Sequence, residues 1–464
     1  MSHTFRVWAP SAGHVTLQLD GAQHAMTEAG DGWWEAAPDG AAPGGRYGFS
    51  IDGGEALPDP RSPSQPEGVH GLSQLVDHAS FAWSDSGWRG FPLREAVMYE
   101  LHIGTFSPEG SFSAAIEHLD HLVALGVNAV ELMPVAEFAG ARGWGYDGVD
   151  LFAPHSAYGG PDGLKQLVDA CHAHGLAVVM DVVYNHVGPE GNHLGAFGPY
   201  FTDSYATPWG QAWNFDGPDS DAVRDFIVDN AVMWLRDYHC DGLRLDAVHA
   251  IIDTSATHIL EDLSVRVEAL RDELGRELWV IAESDANDPR LVMERRLGGY
   301  GLHATWNDNF HHALHAALTG ERTGYYLDFG SLTDVCTALR QAFVYTGQYS
   351  PFRRRRFGRS IGEMPLARFA GYAQNHDQVG NRAAGERLSA LVSRGRMRVA
   401  AALTLLSPFV PLLFQGEEWA ASTPFQYFTD FDDRRLRRAV SEGRRSEFRD
   451  FGWRPEDVPD PQVE

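Results

Sequence analysis

The chain has 464 residues, 44% of them hydrophobic, so it can bury one large catalytic core with a smaller domain beside it. Its 37 Lys and Arg residues against 63 Asp and Glu residues give a formal net charge of −26. This acidity disfavours nucleic acid or an anionic membrane as a partner, whereas a neutral sugar is compatible with it.

The first ninety residues differ in character from the rest. They contain short alternating runs separated by Gly, Pro and Asp, namely FRVWAP, HVTLQLDG, GWWEAAP and RYGFSIDGG. This pattern predicts a small antiparallel β-sandwich over residues 1–90. Ala56 to Gly68 is rich in Pro and Ser and is expected to be loop or linker, and the domain boundary is expected near Gly87 to Pro92.

From Ala96 onward, strand-like runs alternate with helical patterns, the clearest of which is Asp221 to Cys240. The runs are AVMYELHI, VNAVELMPV, AVVMDVVYN, GLRLDAV, LWVIAES, HATWNDNF, RFAGYAQN and VPLLFQGEE. Eight such strands predict a parallel (β/α)8 TIM barrel over residues 91–455, with a short loop domain at 187–220 inserted after the third strand. The rival is an open doubly wound sheet, but no glycine-rich phosphate loop follows the first strand.

Polar residues collect where these strands end, which is where barrel enzymes build their active sites. Arg244 and Asp246 point the same way from the fourth strand, and a neighbouring cation favours the charged form of a carboxyl group, so Asp246 is the predicted nucleophile. The stretch Asp241 to Ile251 taken alone is equally compatible with a structural ion pair. Glu283 follows an apolar strand, where desolvation favours the protonated form, so it is the predicted general acid and then base.

The strand ends DVVYNH, GLRLDAVHA, VIAESD and QNHDQVGN resemble, in order, the four short sequence regions of the α-amylase family of glycoside hydrolases. The resemblance extends from about Ala96 to Phe428. It implies retention through a glycosyl-enzyme intermediate on Asp246, with Glu283 as acid and base and with Asp377 holding sugar hydroxyls. The full set of residues that we expect to contact the substrate is Tyr146 as a stacking platform, His186 and His376 as donors, Arg244, His249, Trp209, Asp308 and His311.

The N-terminal domain and four further segments indicate which group of the α-amylase family this chain resembles. The N-terminal sandwich occurs in branching enzymes, debranching enzymes and trehalohydrolases of this family. The segments that look most like the trehalohydrolase group are DVVYNHVGPEGN, TPWGQAWNFDGPDS, NDNFHHALH and LFQGEEWAASTPFQYFTD. This resemblance implies cleavage of the α-1,4 bond next to the trehalose end of maltooligosyltrehalose. A branching or debranching enzyme is the alternative, and a catalytically inactive α-glucan-binding protein is the alternative from another class.

No metal or other cofactor is expected. His311, His312 and His315 lie at helical spacing without acidic or Cys partners nearby, so a helix cap or a sugar contact is favoured over a metal site. Asn185 matches a calcium-binding position of many amylases, but the inserted loop is short of carboxylates. Arg353 to Arg356 is expected to be a solvated loop that pairs with local acids.

The tryptophans Trp209, Trp213 and Trp419 are candidates either for the core or for stacking on glucose, and the first two are favoured for stacking because they lie in the irregular insert. The run Val399 to Phe414 is interrupted by prolines and too short to cross a membrane, so we interpret it as the end of a helix followed by a buried strand.

The cysteines and the start of the chain bear on the compartment. Cys171, Cys240 and Cys336 are widely separated and have no metal-binding spacing, which is typical of a reducing environment. MSHTFRVWAPS lacks the basic and apolar regions of a signal peptide. We therefore expect a cytoplasmic protein, and the sequence leaves its oligomeric state open.

The C-terminal part raises a question of completeness. Arg434 to Phe448 is expected to be the last barrel helix, and 456–464 the start of a C-terminal extension. Relatives usually continue into a β-domain, so we expect this chain either to be a fragment or to lack that domain.

Overall fold

The computed structural model describes residues 3–449, 454 and 458–463. The first eight strands, numbered in chain order, are β1 (Phe5–Trp8), β2 (Val15–Leu19), β3 (Ala22–Ala25), β4 (Thr27–Gly30), β5 (Trp33–Ala36), β6 (Arg46–Ile51), β7 (Ala56–Leu57) and β8 (Ser73–Gln74). They form two antiparallel sheets, ordered β1–β5–β4 and β3–β2–β6–β7, with β8 also paired to β6. Alternate residues of β2 are buried, as a sheet with one covered face requires. The predicted sandwich is confirmed.

The remaining strands are β9 (Met98–Leu101), β10 (Ala129–Leu132), β11 (Ala136–Phe138), β12 (Gly148–Pro154), β13 (Ala177–Val182), β14 (Phe201–Thr207), β15 (Gly210–Trp213), β16 (Gly242–Leu245), β17 (Trp279–Ala282), β18 (Ala304–Trp306), β19 (Tyr349–Ser350), β20 (Arg355–Arg356), β21 (Phe369–Tyr372) and β22 (Val410–Phe414). Eight of them close into a parallel barrel in the order β9–β10–β13–β16–β17–β18–β21–β22, which confirms the predicted TIM barrel. The other six pair as three small hairpins, of which β14–β15 lies inside the insert that was predicted to be irregular.

The α-helices are α1 (Ile103–Phe106), α2 (Phe112–Ile116), α3 (Leu119–Leu125), α4 (Gly160–Ala173), α5 (Ser220–Arg236), α6 (Ile259–Leu274), α7 (Asp308–Thr319), α8 (Leu332–Gln341), α9 (His376–Gly380), α10 (Leu388–Leu391), α11 (Arg394–Leu405) and α12 (Arg434–Arg449). The end of α11 and the whole of β22 confirm the interpretation of Val399 to Phe414. Between β17 and β18, residues 283–303 are all described and contain only 3-10 turns in place of a helix. No described helix has both the length and the apolar composition that a membrane crossing needs.

The position of α12 corrects one prediction. Arg444 of this helix donates to Asn381 Oδ1 at 2.8 Å and lies over the ring of Tyr427. This part of α12 therefore rests on the end of α9, beyond the carboxyl end of β21, whereas a last barrel helix would pack along the outer wall. The charged sequence RRLRRAVSEGRRSEFR suits a helix on a polar surface. The C-terminal extension predicted for 456–464 falls partly outside the described residues.

The barrel interior changes from apolar to charged along the strands, because alternate residues point inward. An apolar cluster fills the lower part and includes Met98, Ala129, Ala177, Val179, Trp279, Ile281, Ala304, Trp306, Ala370, Tyr372, Val410 and Leu412. Above it lies a layer of charged residues, each at most 2% exposed: Glu100, Glu131, Asp181 and Arg244. Glu100 is in register with Glu131, and Asp181 with Arg244. This charged layer is the floor of the candidate site.

Candidate active site

The three predicted catalytic carboxylates stand just beyond strand ends at one end of the barrel. Asp246 directly follows β16, Glu283 directly follows β17, and Asp377 lies in the first turn of α9 after β21. Ala247 is the residue after Asp246, and its backbone N–H donates to Glu283 Oε2 at 2.7 Å. The backbone beside one carboxyl group therefore holds the other. Ala247 has φ +39°, a conformation that an L-residue adopts only when the surrounding structure enforces it.

Arg244 links the carboxylates. It is 0% exposed, and its Nη1 lies 2.7 Å from Asp181 Oδ2 and 2.9 Å from Asp246 Oδ1. Its Nη2 lies 2.9 Å from Glu283 Oε2, and its guanidinium sits 4.2 Å from the ring centroid of Trp306. One buried cation therefore contacts three acids. A structural ion pair needs only one acid, so Arg244 and Asp246 belong to a larger charged cluster.

The pKa of Asp246 lies below its usual value. Burial, the largest single cause, would raise it, but Arg244, His186, a hydrogen bond from Asn185 and His376 together outweigh burial. Asn185 Nδ2 donates to Asp246 Oδ2 at 2.6 Å and to its backbone carbonyl at 2.9 Å. The arrangement holds Asp246 ionised and fixes its orientation, which suits a nucleophile.

The pKa of Glu283 lies well above its usual value. Burial is the largest cause, Arg244 opposes it, and the neighbouring acids Asp246, Asp377 and Asp308 raise the pKa further. Around the same guanidinium, the surroundings thus favour the ionised form of Asp246 and the protonated form of Glu283. Glycoside hydrolysis requires one carboxyl group of its catalytic pair to be ionised and the other to carry a proton.

Tyr146 and His376 form the wall beside Asp377. The Tyr146 hydroxyl donates to Asp181 Oδ2 at 2.6 Å and lies 2.8 Å from His376 Nε2, and the two rings stack with centroids 5.1 Å apart. Gly145 precedes this tyrosine with φ +95°, and a Cβ there would lie 2.0 Å from the Pro134 carbonyl, so only glycine permits this approach. Asp377 Oδ1 lies 3.5 Å from His376 Nε2.

Four more predicted contact residues surround this centre. His186 is buried and stacks on Trp209, which is 47% exposed in the β14–β15 hairpin. His249 is exposed in the turn after Asp246. Asp308 begins α7 and accepts a hydrogen bond from Tyr372, and burial together with Asp285 and Asp377 raises its pKa to about 7 against the opposing effect of that bond.

His311 does not fit the sugar contact predicted for it. It is 1% exposed, and its ring nitrogens are both engaged inside the protein, by the Ala373 carbonyl at 2.8 Å and the Tyr326 hydroxyl at 2.9 Å. Its helix neighbours His312 and His315 are buried against the same tyrosine. Histidines at helical spacing can face either the core or the substrate site, and the sequence pattern does not distinguish the two.

The tryptophans also require a correction. Trp213 is 2% exposed and packs among Phe201, Phe215 and Phe226, so it belongs to the core of the insert. Trp419, by contrast, is 60% exposed. It borders a cavity of about 1110 Å³ in which no described lining residue is one of the three carboxylates.

The arginine run behaves largely as predicted. Arg354 to Arg356 are exposed, and Arg353 pairs with Asp285 at 3.0 Å. Asp285 lies two residues after Glu283, so this loop approaches the site from the side of the sixth strand.

Sequence reasoning left four residues of this centre out of the predicted set, namely Glu100, Asp181, Asn185 and Trp306. Glu100 accepts from both the backbone N–H and the ring Nδ1 of His376. The signal that could have found it is the two-residue alternation along AVMYELHI, which puts Glu100 on the same inward face as Met98.

The barrel and its strand-end carboxylates are the architecture of a glycoside hydrolase, and comparison with known proteins agrees. The α-amylase catalytic-domain model matches residues 75–202, and the carbohydrate-binding module 48 (isoamylase N-terminal domain) model matches residues 1–63. Malto-oligosyltrehalose trehalohydrolase of Arthrobacter ramosus is 53% identical, covering 100% of this chain and 81% of that protein. The same enzyme of Saccharolobus solfataricus is 49% identical, covering 96% and 78%.

A solved structure is also similar to this chain over nearly its whole length. A protein of Salmonella typhimurium assigned to the α-amylases superimposes with a TM-score of 0.93 at 44% identity, covering 99% of this chain and 78% of that chain. The chain belongs to the malto-oligosyltrehalose trehalohydrolase family, within the α-amylase family of glycoside hydrolases. This membership supports the main interpretation over a branching enzyme, a debranching enzyme or an inactive glucan-binding protein.

Proposed function

We propose that this glycoside hydrolase cleaves the α-1,4 bond next to the trehalose end of maltooligosyltrehalose and releases trehalose. The observation that carries the proposal is the opposite displacement of the pKa values of Asp246 and Glu283, two carboxyl groups that share Arg244. The trehalohydrolase names of relatives similar over nearly the whole chain support the choice of substrate.

In the first step the Asp246 carboxylate attacks the anomeric carbon while Glu283 gives its proton to the glycosidic oxygen. The C–O bond breaks, trehalose leaves with that proton, and the maltooligosyl unit stays as an ester on Asp246. In the second step Glu283, now ionised, takes a proton from water, and the resulting oxygen attacks the same carbon and releases Asp246. Two inversions give net retention.

Discrimination has to come from the leaving-group side, because plain maltooligosaccharides present the same α-1,4 bond. The second glucose of trehalose turns its hydroxyls in a fixed direction, and polar groups that meet those hydroxyls would be left unpaired by a maltose end. Asp308 is the candidate for this role, since it lies close enough to Glu283 to raise the pKa of that group. Such a site can discriminate by about 10⁴-fold.

Glu418 and Trp419, in the trehalohydrolase-like segment LFQGEEWAASTPFQYFTD, are weaker candidates for this recognition. Glu418 already accepts from Tyr99 at 2.9 Å and lies 3.0 Å from His121 Nε2, and Trp419 beside it borders the separate cavity. The three free cysteines support a reducing compartment, and we propose the cytoplasm.

Product analysis tests the proposal. The protein is incubated in parallel with maltotriosyltrehalose, maltopentaose and amylose, and free trehalose, reducing ends and α-1,6 branches are measured. We expect trehalose from the first substrate far faster than any product from the others. Equal kcat/KM on maltopentaose and maltotriosyltrehalose would remove the trehalose specificity and leave a general glucosidase, whereas new α-1,6 branches would indicate chain transfer.

A further inference from the structure

Glu100 and His376 form a two-point clamp inside the barrel. Glu100 stands on β9 and is 1% exposed, and its Oε2 accepts the backbone N–H of His376 at 3.0 Å. Its other carboxyl oxygen contacts Nδ1 of the same imidazole. Both the backbone and the ring of His376 are thus fixed by one side chain that lies 276 residues earlier in the chain.

The hydrogen-bond directions around His376 determine where its protons are. The Tyr146 hydroxyl has a single hydrogen, which it donates to Asp181 at 2.6 Å, so its 2.8 Å contact with His376 requires a proton on Nε2. The contact between Nδ1 and the Glu100 carboxylate requires a proton on Nδ1. The geometry is therefore that of an imidazolium with two N–H donors.

Charged and titratable groups face His376 from every element around it. They are Glu100 on β9, His102 after β9, Glu131 on β10, Tyr146 before β12, Asp181 on β13, Arg244 and Asp246 at β16, and Asp377 on its own helix. Burial by itself would lower the pKa of His376, but Glu100 and Asp377 outweigh it and raise the pKa to about 9.

Glu131 provides an internal comparison, because it occupies the same level of the barrel on the next strand. It is 0% exposed, and neither of its carboxyl oxygens has a hydrogen-bond partner among the described residues. Burial, reinforced by Glu100, raises its pKa well above the usual range. Burial thus favours the neutral form of Glu131, so this side chain is not equivalent to Glu100.

We propose that Glu100 is a positioning residue for the hydrolysis proposed above: by holding the backbone and the ring of His376 at once, it keeps the imidazolium in place to donate its Nε2–H to the Tyr146 hydroxyl, in the wall beside Asp377. The same Nε2 lies 3.5 Å from Asp377 Oδ1, so the orientation of the imidazole also bears on this carboxylate. Glu100 itself is too deeply buried to touch the substrate.

The test is the pH dependence of the Glu100→Gln variant, with Glu131→Gln as its matched control. Glutamine keeps the size of the side chain and can accept from the backbone N–H, but it removes the charge that retains the second proton on His376. We expect the alkaline limb of kcat/KM on maltotriosyltrehalose to move down by about one pH unit or more, with about a tenfold loss at a fixed pH above it and recovery on acidification. In Glu131→Gln, the alkaline limb of kcat/KM should stay at the pH seen in the unmodified protein.

A direct measurement keeps the inference testable even if Glu100→Gln fails to fold. The ¹⁵N shifts of His376 in the unmodified protein, assigned by their loss in His376→Gln, should show both ring nitrogens protonated at pH 7. A neutral imidazole at that pH, or an unmoved alkaline limb in a folded Glu100→Gln variant, would overturn the inference. If the unmodified protein does not cleave maltotriosyltrehalose, the proposed function fails, while the shifts of His376 still decide the role of Glu100.

Discussion

Both ends of the barrel bury charged side chains, and the two ends differ in how completely those charges are matched. At the end where the strands begin, Asp85 of the interdomain segment lies 2.8 Å from Nδ1 of His172 and 2.8 Å from Nδ1 of His239. His172 Nε2 lies 3.0 Å from Asp241, and Trp88 stacks on the His172 ring. Acids and bases alternate in this cluster, so every charge has an opposite neighbour.

The pKa values at this end shift toward the charged forms. Burial would raise the pKa of Asp85, but hydrogen bonds with His172 and His239 lower it below its usual value. Burial would lower the pKa of His172, but Asp241 and Asp85 raise it above the usual value. Shifts in these directions stabilise the folded protein.

At the catalytic end the acids outnumber the cations. Arg244 is shared by several carboxyl groups, and burial leaves Glu131, Glu283 and Asp308 with raised pKa values. A site of this kind loses folding free energy but keeps an acid protonated at neutral pH. The comparison teaches that matched buried charges fasten elements together, whereas unmatched ones supply protons for chemistry.

The largest effect is expected from the catalytic pair. Asp246→Asn and Glu283→Gln should each lower kcat on maltotriosyltrehalose by about 10⁴-fold or more, because each removes one member of a concerted unit. Glu283→Gln should not lower the thermal unfolding temperature, since it relieves crowding among acids, whereas Asp246→Asn gives up the pairing with Arg244 and should lower that temperature. Asp85→Asn is the control from the opposite end and should keep kcat. A catalytic variant with a tenth of the normal rate would refute these roles.

The second prediction concerns Asp85→Asn, which breaks the matched cluster. The contribution of Asp85 is present above the pKa of an unfolded Asp, about 4, and is lost as the pH falls through its lower folded value. The contribution of His172 is complete below the pKa of an unfolded His, about 6.5, and is lost as the pH rises through its higher folded value. The cluster should therefore stabilise most between about pH 4 and 6.5.

Urea unfolding at pH 5.5 and pH 9 measures this difference. We expect Asp85→Asn to lose about 3 kcal/mol of unfolding free energy at pH 5.5, as for a broken buried pair, and less at pH 9. Glu442→Gln, which breaks the exposed pair with Arg438, should change the stability at neither pH. An equal loss for Asp85→Asn at both pH values would show that ionisation of His172 does not contribute.

The third and smallest effect is expected from Asp308→Asn. Asp308 is one of the acids that raise the pKa of Glu283, so its removal should lower that pKa and move the alkaline limb of kcat/KM toward acid. We also expect about a tenfold loss of the preference for maltotriosyltrehalose over maltopentaose, because a group for trehalose hydroxyls is weakened. If the alkaline limb moves but the preference for maltotriosyltrehalose stays the same, Asp308 affects only the pKa of Glu283 and does not recognise trehalose.

The sequence predicted most of what strand periodicity and strand ends encode. All eight barrel strands lie within the predicted runs, and the positions of Asp246, Glu283 and Asp377 follow from where those strands stop. Glu100 and Glu131 were not singled out: alternation along each run puts them on the inward face, but that they lie side by side depends on the pairing of the two strands. The domain boundaries at residues 90 and 455 remain predictions.

The errors have a common physical cause, namely that a local pattern does not say which neighbour a helix or loop will meet. The spacing of His311 fits the core as well as the site. Trp213 was favoured for stacking on glucose because the β14–β15 hairpin, which pairs it with Phe201, was not predicted. The bounds of α12 were predicted nearly to the residue, but its contact with Asn381 depends on the folded barrel.

The claim that Asp246 is ionised and nucleophilic while Glu283 is its protonated partner is tested most directly by the stereochemistry of the product. Maltotriosyltrehalose is mixed with a high concentration of the protein, and the anomeric protons of the released maltotriose are followed by ¹H NMR before mutarotation. Retention through a covalent intermediate predicts that the α-anomer accumulates first and then equilibrates. Initial accumulation of the β-anomer would show direct attack by water and would contradict a nucleophilic Asp246.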